Sequence, residues 1–194
     1  VVQSVIAQGS DVGKVLLPDS RVAAVMFTGS TQTGTLISQI LAQRGGEQVP
    51  FIGETGGQNC MIVDSTALPE QVIDDVIASG FQSAGQRCSA LRVLFVQDDI
   101  ADNVIRMIKG AMKELHIGNP AMLSTDVGPV IDTKALNALN EHAEYMQTHG
   151  ELLYQCEMGE ETQNGHFFAP RLYEISDISQ LQKEVFGPCV HVIR

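Results

Sequence analysis

Gly85-Gln86-Arg87-Cys88-Ser89 sets a thiol between a cation and a hydroxyl, just after a segment with helical periodicity. A cation beside a cysteine favours the thiolate, and the thiolate is the nucleophile that covalent catalysis needs. The competing reading is a buried structural cysteine, because a free Cys is more often core than reagent. His116, His142, His149, His166 and His191 all lie far from Cys88 in sequence and show no triad context. A Cys–His pair assembled by the fold stays open, with no support in the sequence.

Phe51-Ile52-Gly53-Glu54-Thr55-Gly56-Gly57-Gln58-Asn59 ends an apolar run on one carboxylate flanked by glycines. A partly buried Glu at a strand end should have a raised pKa and could serve as a general base. A carboxylate paired with a backbone N–H would leave the same trace. Gly29-Ser30-Thr31-Gln32-Thr33-Gly34 places two glycines between a predicted strand and a predicted helix. Small residues there let a phosphate approach free N–H groups, and the Ser30 hydroxyl could add a donor. The turn lacks the Lys of a P-loop and the third glycine of the dinucleotide fingerprint, so an ordinary βα turn explains it as well.

The elements that must position these groups follow from periodicity. Val22–Phe27 reads as a strand, Thr31–Arg44 as a helix closing on Gly45-Gly46, and Val49–Ile52 as a second strand, which makes a βαβ unit with a parallel sheet. Met61–Val63, a helix from Pro69 through Val72, Val76 and Ile77, and Leu91–Val96 repeat the pattern as a second α/β layer. Asp98-Asp99 opens the clearest helix, with Ile100, Val104, Ile108, Ala111 and Leu115 on one stripe and acids where the macrodipole favours them. Residues 133–148 predict a more polar helix, 150–165 a weak strand and an acidic loop, and Leu172–Ile175 and Cys189–Ile193 further strands separated by Glu184-Val185-Phe186-Gly187-Pro188. The fold class is α/β, with the domain boundary at the glycine-rich Glu54–Gly57.

Composition bounds the partners. The 194 residues are 44% hydrophobic and 18% charged, an ordinary globular balance. The net charge is −11, and no window is dominated by Lys or Arg, so no nucleic-acid partner is expected. Residues 1–50 hold three acids (Asp11, Asp19, Glu47) and three bases (Lys14, Arg21, Arg44), so the acidic excess lies in the remainder and the first quarter best tolerates a polyanionic ligand. Neither a membrane span nor a secretory signal is expected. Cys60, Cys88, Cys156 and Cys189 show no metal-ligand spacing, so no metal is expected; reduced thiols fit a cytoplasmic setting. The chain opens on Val1-Val2 and stops at Arg194 inside an apolar alternating run, which reads as a piece of a longer protein.

Taken together, FTGSTQTG, ETGGQN, GQRCS and EVFGP resemble the aldehyde dehydrogenase superfamily in order, residue type and spacing, with Glu54 and Cys88 34 residues apart. The wording ETGGQN and GQRCSALR is similar to the glutamate-semialdehyde (1-pyrroline-5-carboxylate) dehydrogenase branch. SAGQRCSALRVLFVQDDIAD and STDVGPVID are most like the dehydrogenase halves of bacterial bifunctional proline-oxidising enzymes. The resemblance implies part of a Rossmann-like NAD-binding layer over residues 1–54, followed by most of an α/β catalytic domain over residues 55–194.

It further implies that Cys88 attacks an aldehyde and that Glu54 activates the water that hydrolyses the resulting thioester. Gly29, Ser30 and Gly34 would hold the NAD pyrophosphate, Glu184 the nicotinamide ribose, Phe186 the side of that ring, and Ser89 the carboxylate of the substrate. The oxyanion Asn, the residue selecting NAD over its 2′-phosphate analogue and the C-terminal substrate loop are expected outside the chain, in a homo-oligomeric parent. Arg87 is either a carboxylate partner or part of a structural ion pair. The alternatives are a relative acting on another aldehyde or acylating coenzyme A, and an inert assembly module that retains the motifs. The purified 194-residue chain is expected to fold at least over residues 55–194 and to show little or no activity; clear NAD-dependent oxidation of glutamate semialdehyde by it, in a steady-state assay, would contradict this.

Overall fold

The computed structural model describes residues 1–194, which divide into two compact units, Val1–Gly56 and Gly57–Arg194. In the first, α1 (Gly9–Leu16) precedes β1 (Val25–Thr28), α2 (Thr31–Gln43) and β2 (Phe51–Glu54). β1 and β2 pair in parallel with Thr28 opposite Glu54, as the βαβ reading requires. Ser30 caps α2, its Oγ accepting from Thr33 N–H at 3.2 Å. This unit buries only Leu17, Gly34 and Ile37, and α1 buries nothing.

The second unit holds the core. Its five-stranded sheet has the order β3-β4-β7-β6-β5, from β3 (Cys60–Val63), β4 (Val93–Val96), β5 (Glu151–Gln155), β6 (Arg171–Glu174) and β7 (Cys189–Ile193). Four strands run parallel, and only β5 pairs antiparallel, with β6. All of β7 is buried and β4 nearly so, which is why both read as apolar runs instead of alternating ones. Helices α3 (Pro69–Phe81), α4 (Asp98–Lys113) and α5 (Thr133–His149) complete this unit.

Each helix carries its own start signal: Pro69 at the first turn of α3, Asp98 and Asp99 in the first turn of α4, and Asp132, whose side chain accepts from Ala135 N–H, before α5. The buried face of α4 is Ala101, Val104, Ile105, Ile108 and Met112. The expected stripe through Ile100, Ala111 and Leu115 therefore lies at its margin, and Leu115 falls past the helix end.

Between β7 and α5 sits a neutral histidine pair. His191 Nδ1 lies 3.0 Å from the carbonyl oxygen of Arg92, which can only accept, so that nitrogen carries the proton; His191 Nε2 then accepts from His142 Nε2 at 2.9 Å. Burial pushes His191 down to about 3 and His142 down to about 4, which keeps both uncharged at neutral pH.

The uneven burial predicts uneven stability. By hydrogen exchange, amides of Val93–Val96 and Cys189–Ile193 should open only with global unfolding, and those of Val25–Thr28 and Phe51–Glu54 should exchange at least about a hundredfold faster. Equal protection in the two sheets would contradict this.

Candidate active site

In the first unit, the candidate phosphate turn and the candidate base are fastened to one another. Gly29 N–H donates to the carbonyl oxygen of Glu54 at 3.1 Å, so the turn and the carboxylate-bearing residue share the carboxyl ends of two adjacent parallel strands. Ligands of open α/β sheets bind at such edges. Ser30 spends its hydroxyl locally, on Thr33 N–H and 2.9 Å from Thr33 Oγ1. The first N–H groups of α2 have no intrahelical acceptor. Gly34 is buried against Thr55 and Phe27, where a Cβ would sit 3.0 Å from the Thr55 methyl, so it permits close helix–strand packing.

Glu54 departs from expectation. It was expected to be partly buried, but β2 is a four-residue strand with a single neighbour, and the carboxylate is exposed.

In the second unit, Cys88 and Ser89 are exposed while almost every neighbour in the motif is tied down. α3 ends in a short 3-10 turn, Gln82–Gly85, in which Ser83, Ala84 and Gly85 all have positive φ (55°, 51° and 64°). Left-handed backbone at non-glycine residues costs roughly 1–2 kcal/mol each, so the surroundings must hold it. Gln86 does so on one side: its Oε1 accepts from Ile131 N–H at 2.8 Å, and its Nε2 donates to Ser83 at 3.2 Å. A Cβ on Gly85 would collide with the carbonyl oxygen of Gly187, so the loop touches the Glu184–Pro188 turn backbone to backbone.

Arg87 forms no ion pair with a carboxylate of the chain. Its Nη2 donates to the carbonyl oxygen of Ala78 at 2.8 Å, in the last turn of α3, where the helix leaves carbonyl oxygens without N–H donors and a cation is favoured. Asn59 holds the far side of the loop, its Nδ2 donating to the carbonyl oxygens of Cys88 (2.6 Å) and Ala90 (3.0 Å). Gln58 donates to the carbonyl oxygen of Lys183 at 2.9 Å, beside Glu184. Arg92, fully buried, donates to Gly187 and Arg87 carbonyls (3.1 and 3.2 Å) and to Glu184 Oε1 (3.2 Å).

Glu184 is thus largely buried with one oxygen engaged, and Phe186 is 46% exposed with its ring centroid 5.3 Å from the Arg92 guanidinium carbon. Sequence reasoning had singled out Cys88, Ser89, Glu184 and Phe186, and the fold brings their two loops together. It had passed over Asn59, Gln58, Gln86 and Arg92 as agents; their presence inside the motifs was the signal. The two remaining thiols are set apart, since burial pushes Cys156 and Cys189 each up to about 12.

An exposed-cysteine loop and a carboxylate–aromatic turn at neighbouring strand ends of one α/β unit, after a βαβ turn, describe an aldehyde dehydrogenase-like fold. The aldehyde dehydrogenase family model matches residues 1–194, and the chain belongs to that family. It is 51% identical to the bifunctional protein PutA of Escherichia coli K12, over all of this chain and 15% of that protein. It is 33% identical to the 1-pyrroline-5-carboxylate dehydrogenase of Geobacillus kaustophilus, over 94% of this chain and 36% of that one.

Among solved structures, a variant of Bradyrhizobium japonicum proline utilization A (PutA) superposes with a TM-score of 0.90 at 49% identity, over 95% of this chain and 19% of that one. A Staphylococcus aureus betaine aldehyde dehydrogenase, in complex with NAD+ and with a BME-modified cysteine, gives 0.90 at 30% identity, over 97% of this chain and 38% of that one. The chain therefore spans about a seventh to under two-fifths of these relatives.

Accessible thiols should label and buried ones should not. Brief treatment with iodoacetamide at pH 8 followed by peptide mapping should modify Cys60 and Cys88, both exposed, and leave Cys156 and Cys189 intact. Modification of Cys189 at a rate equal to Cys88 would refute the assignment.

Proposed function

We propose that this chain is the part of an NAD-dependent dehydrogenase that oxidises L-glutamate 5-semialdehyde, formed from 1-pyrroline-5-carboxylate, to L-glutamate in proline catabolism. Residues 1–54 are the C-terminal part of its NAD-binding domain and residues 55–194 most of its catalytic domain. The single observation that carries the reading is the Cys88 loop: an exposed cysteine and serine on a backbone pinned by Gln86, Arg87, Asn59 and Arg92. A structural cysteine has no use for exposure, and an ordinary surface loop has no use for so many side-chain ties to its backbone.

In this reading the Cys88 thiolate adds to the aldehyde carbon, forming a C–S bond and an oxyanion. The N–H of Cys88 donates to no atom of the chain, which leaves it free to stabilise that oxyanion. Loss of a hydride equivalent, two electrons and one proton, from the oxyanion form of that thiohemiacetal leaves a thioester on Cys88. Glu54 takes a proton from water as the water attacks the thioester carbon, and the Cys88 thiolate leaves. Ser89, adjacent to the nucleophile and exposed, hydrogen-bonds the carboxylate of the substrate, which favours an aldehyde that is also an acid.

The residues present fit a dinucleotide. Gly29 and Ser30 lead into the N-terminus of α2, where a pyrophosphate is favoured, and Gly34 lets that helix sit close. Glu184 keeps one oxygen free to accept from a ribose hydroxyl, and the exposed Phe186 face packs a flat ring. When bound, NAD supplies the two-electron acceptor for the oxidation. In this reading the enzyme acts in the cytoplasm as a homo-oligomer.

Glu54→Gln in the full-length protein tests the reading. A first-turnover burst of NADH should persist while the steady-state rate falls at least about a hundredfold. An unchanged steady-state rate, with the acyl group passing to coenzyme A, would favour the acyl-transferring relative instead.

A further inference from the structure

We propose that Arg92 is a positioning residue: from inside the protein, its guanidinium holds the Glu184 carboxylate, the Gly187 carbonyl and the Cys88 loop in one fixed arrangement. The proposal rests on the reading of Glu184 as a cofactor-binding residue and Cys88 as the nucleophile.

Arg92 is 0% exposed, and its side chain reaches three segments at once: Nη1 to Gly187 at 3.1 Å, and Nη2 to Arg87 at 3.2 Å and to Glu184 Oε1 at 3.2 Å. Its own backbone is equally fixed, with N–H donating to Asn59 at 3.0 Å and the carbonyl oxygen accepting from His191 N–H at 2.9 Å and His191 Nδ1 at 3.0 Å. The side chain therefore starts from a rigid base, where β4 meets β7.

Stability alone does not explain such a residue. Burying a guanidinium carries a large desolvation cost, and an apolar side chain of similar volume often does as well or better. What an apolar residue cannot do is dictate direction. The planar fork presents donors at fixed angles, and here they select one rotamer of Glu184, leave its second oxygen unengaged, and lie under the Phe186 ring. A lysine offers a compact charge that reaches fewer of these acceptors at once. The fork also joins the two loops whose backbones already meet at Gly85 and Gly187, so a shift of the Glu184 turn would carry the Cys88 loop with it.

The test uses the full-length protein with Arg92→Lys, Glu184→Gln and the double variant. Arg92→Lys should raise KM for NAD about tenfold while KM for the aldehyde stays within about twofold. The double variant should be no worse for NAD than Glu184→Gln alone, because Arg92 acts through Glu184. Glu184→Gln should also lower the melting temperature by several degrees, since it weakens the partner of a buried charge; this arm reads the contact even if the Arg92 variant does not fold.

Wild-type KM for NAD in Arg92→Lys, additive losses in the double variant, or an unchanged melting temperature in Glu184→Gln would each overturn the proposal. A Glu184→Gln protein that melts lower yet keeps its KM for NAD would remove the cofactor reading of Glu184 and the proposal with it. Raised KM in Glu184→Gln without any change in Arg92→Lys would remove the proposal alone.

Discussion

The parallel pairing of β4 with β7 is the constraint on which the second unit depends. With Val93 opposite His191, the segments that enter these two strands must lie side by side, and they are the Cys88 loop and the Glu184–Pro188 turn. Adjacency by itself would leave two mobile loops. Glycine contact at Gly85 and Gly187, the amide of Asn59 and the guanidinium of Arg92 convert it into a fixed geometry in which sulfur and hydroxyl remain outside. Of the hydrogen bonds among these ties, Arg92 to Gly187 is buried and Arg92 to Arg87 and Asn59 to Ala90 are half-buried, so losing them would leave unpaired polar groups and the loop resists fraying.

The two units expose opposite kinds of edge. In the first, Gly29 and Glu54 stand at the carboxyl ends of β1 and β2, where helix N–H groups gather and anions are favoured. In the second, Cys88 and Glu184 precede the amino ends of β4 and β7, and side-chain hydrogen bonds do the positioning. The thiols sort the same way. Cys156 donates to Met112 and Cys189 is wholly buried, and both are held as thiols, whereas Cys88 is available to solvent.

Much of this was legible because motif letters encode contacts as well as chemistry. The strand–turn–helix around Gly29 and the helix starts at Pro69, Asp98 and Asp132 follow from local rules that tertiary packing did not override. The left-handed turn at Ser83 and Ala84 was not legible, since neither residue prefers positive φ and only the neighbouring Gly85 hints at it. Helix α1 carries Val12, Val15 and Leu16 at helical spacing, but it is only eight residues long and holds Gly9 and Gly13, which weaken the local helix signal. Glu54 was expected to be half-buried on the strength of its apolar strand, but a strand with one neighbour cannot enclose its own last residue. Arg87 was read for its charge, and its contact is to a helix-end carbonyl, which sequence separation does not reveal.

The account stands or falls on the Cys88 sulfur being the atom that carries the substrate. Full-length protein turning over glutamate semialdehyde and NAD, quenched in acid, digested and weighed peptide by peptide, tests this directly. An acyl mass is expected on the peptide containing Cys88 and none on the peptide containing Cys60. Sustained product formation with an unmodified Cys88 at every quench time, or an acyl group on Cys60 instead, would contradict it.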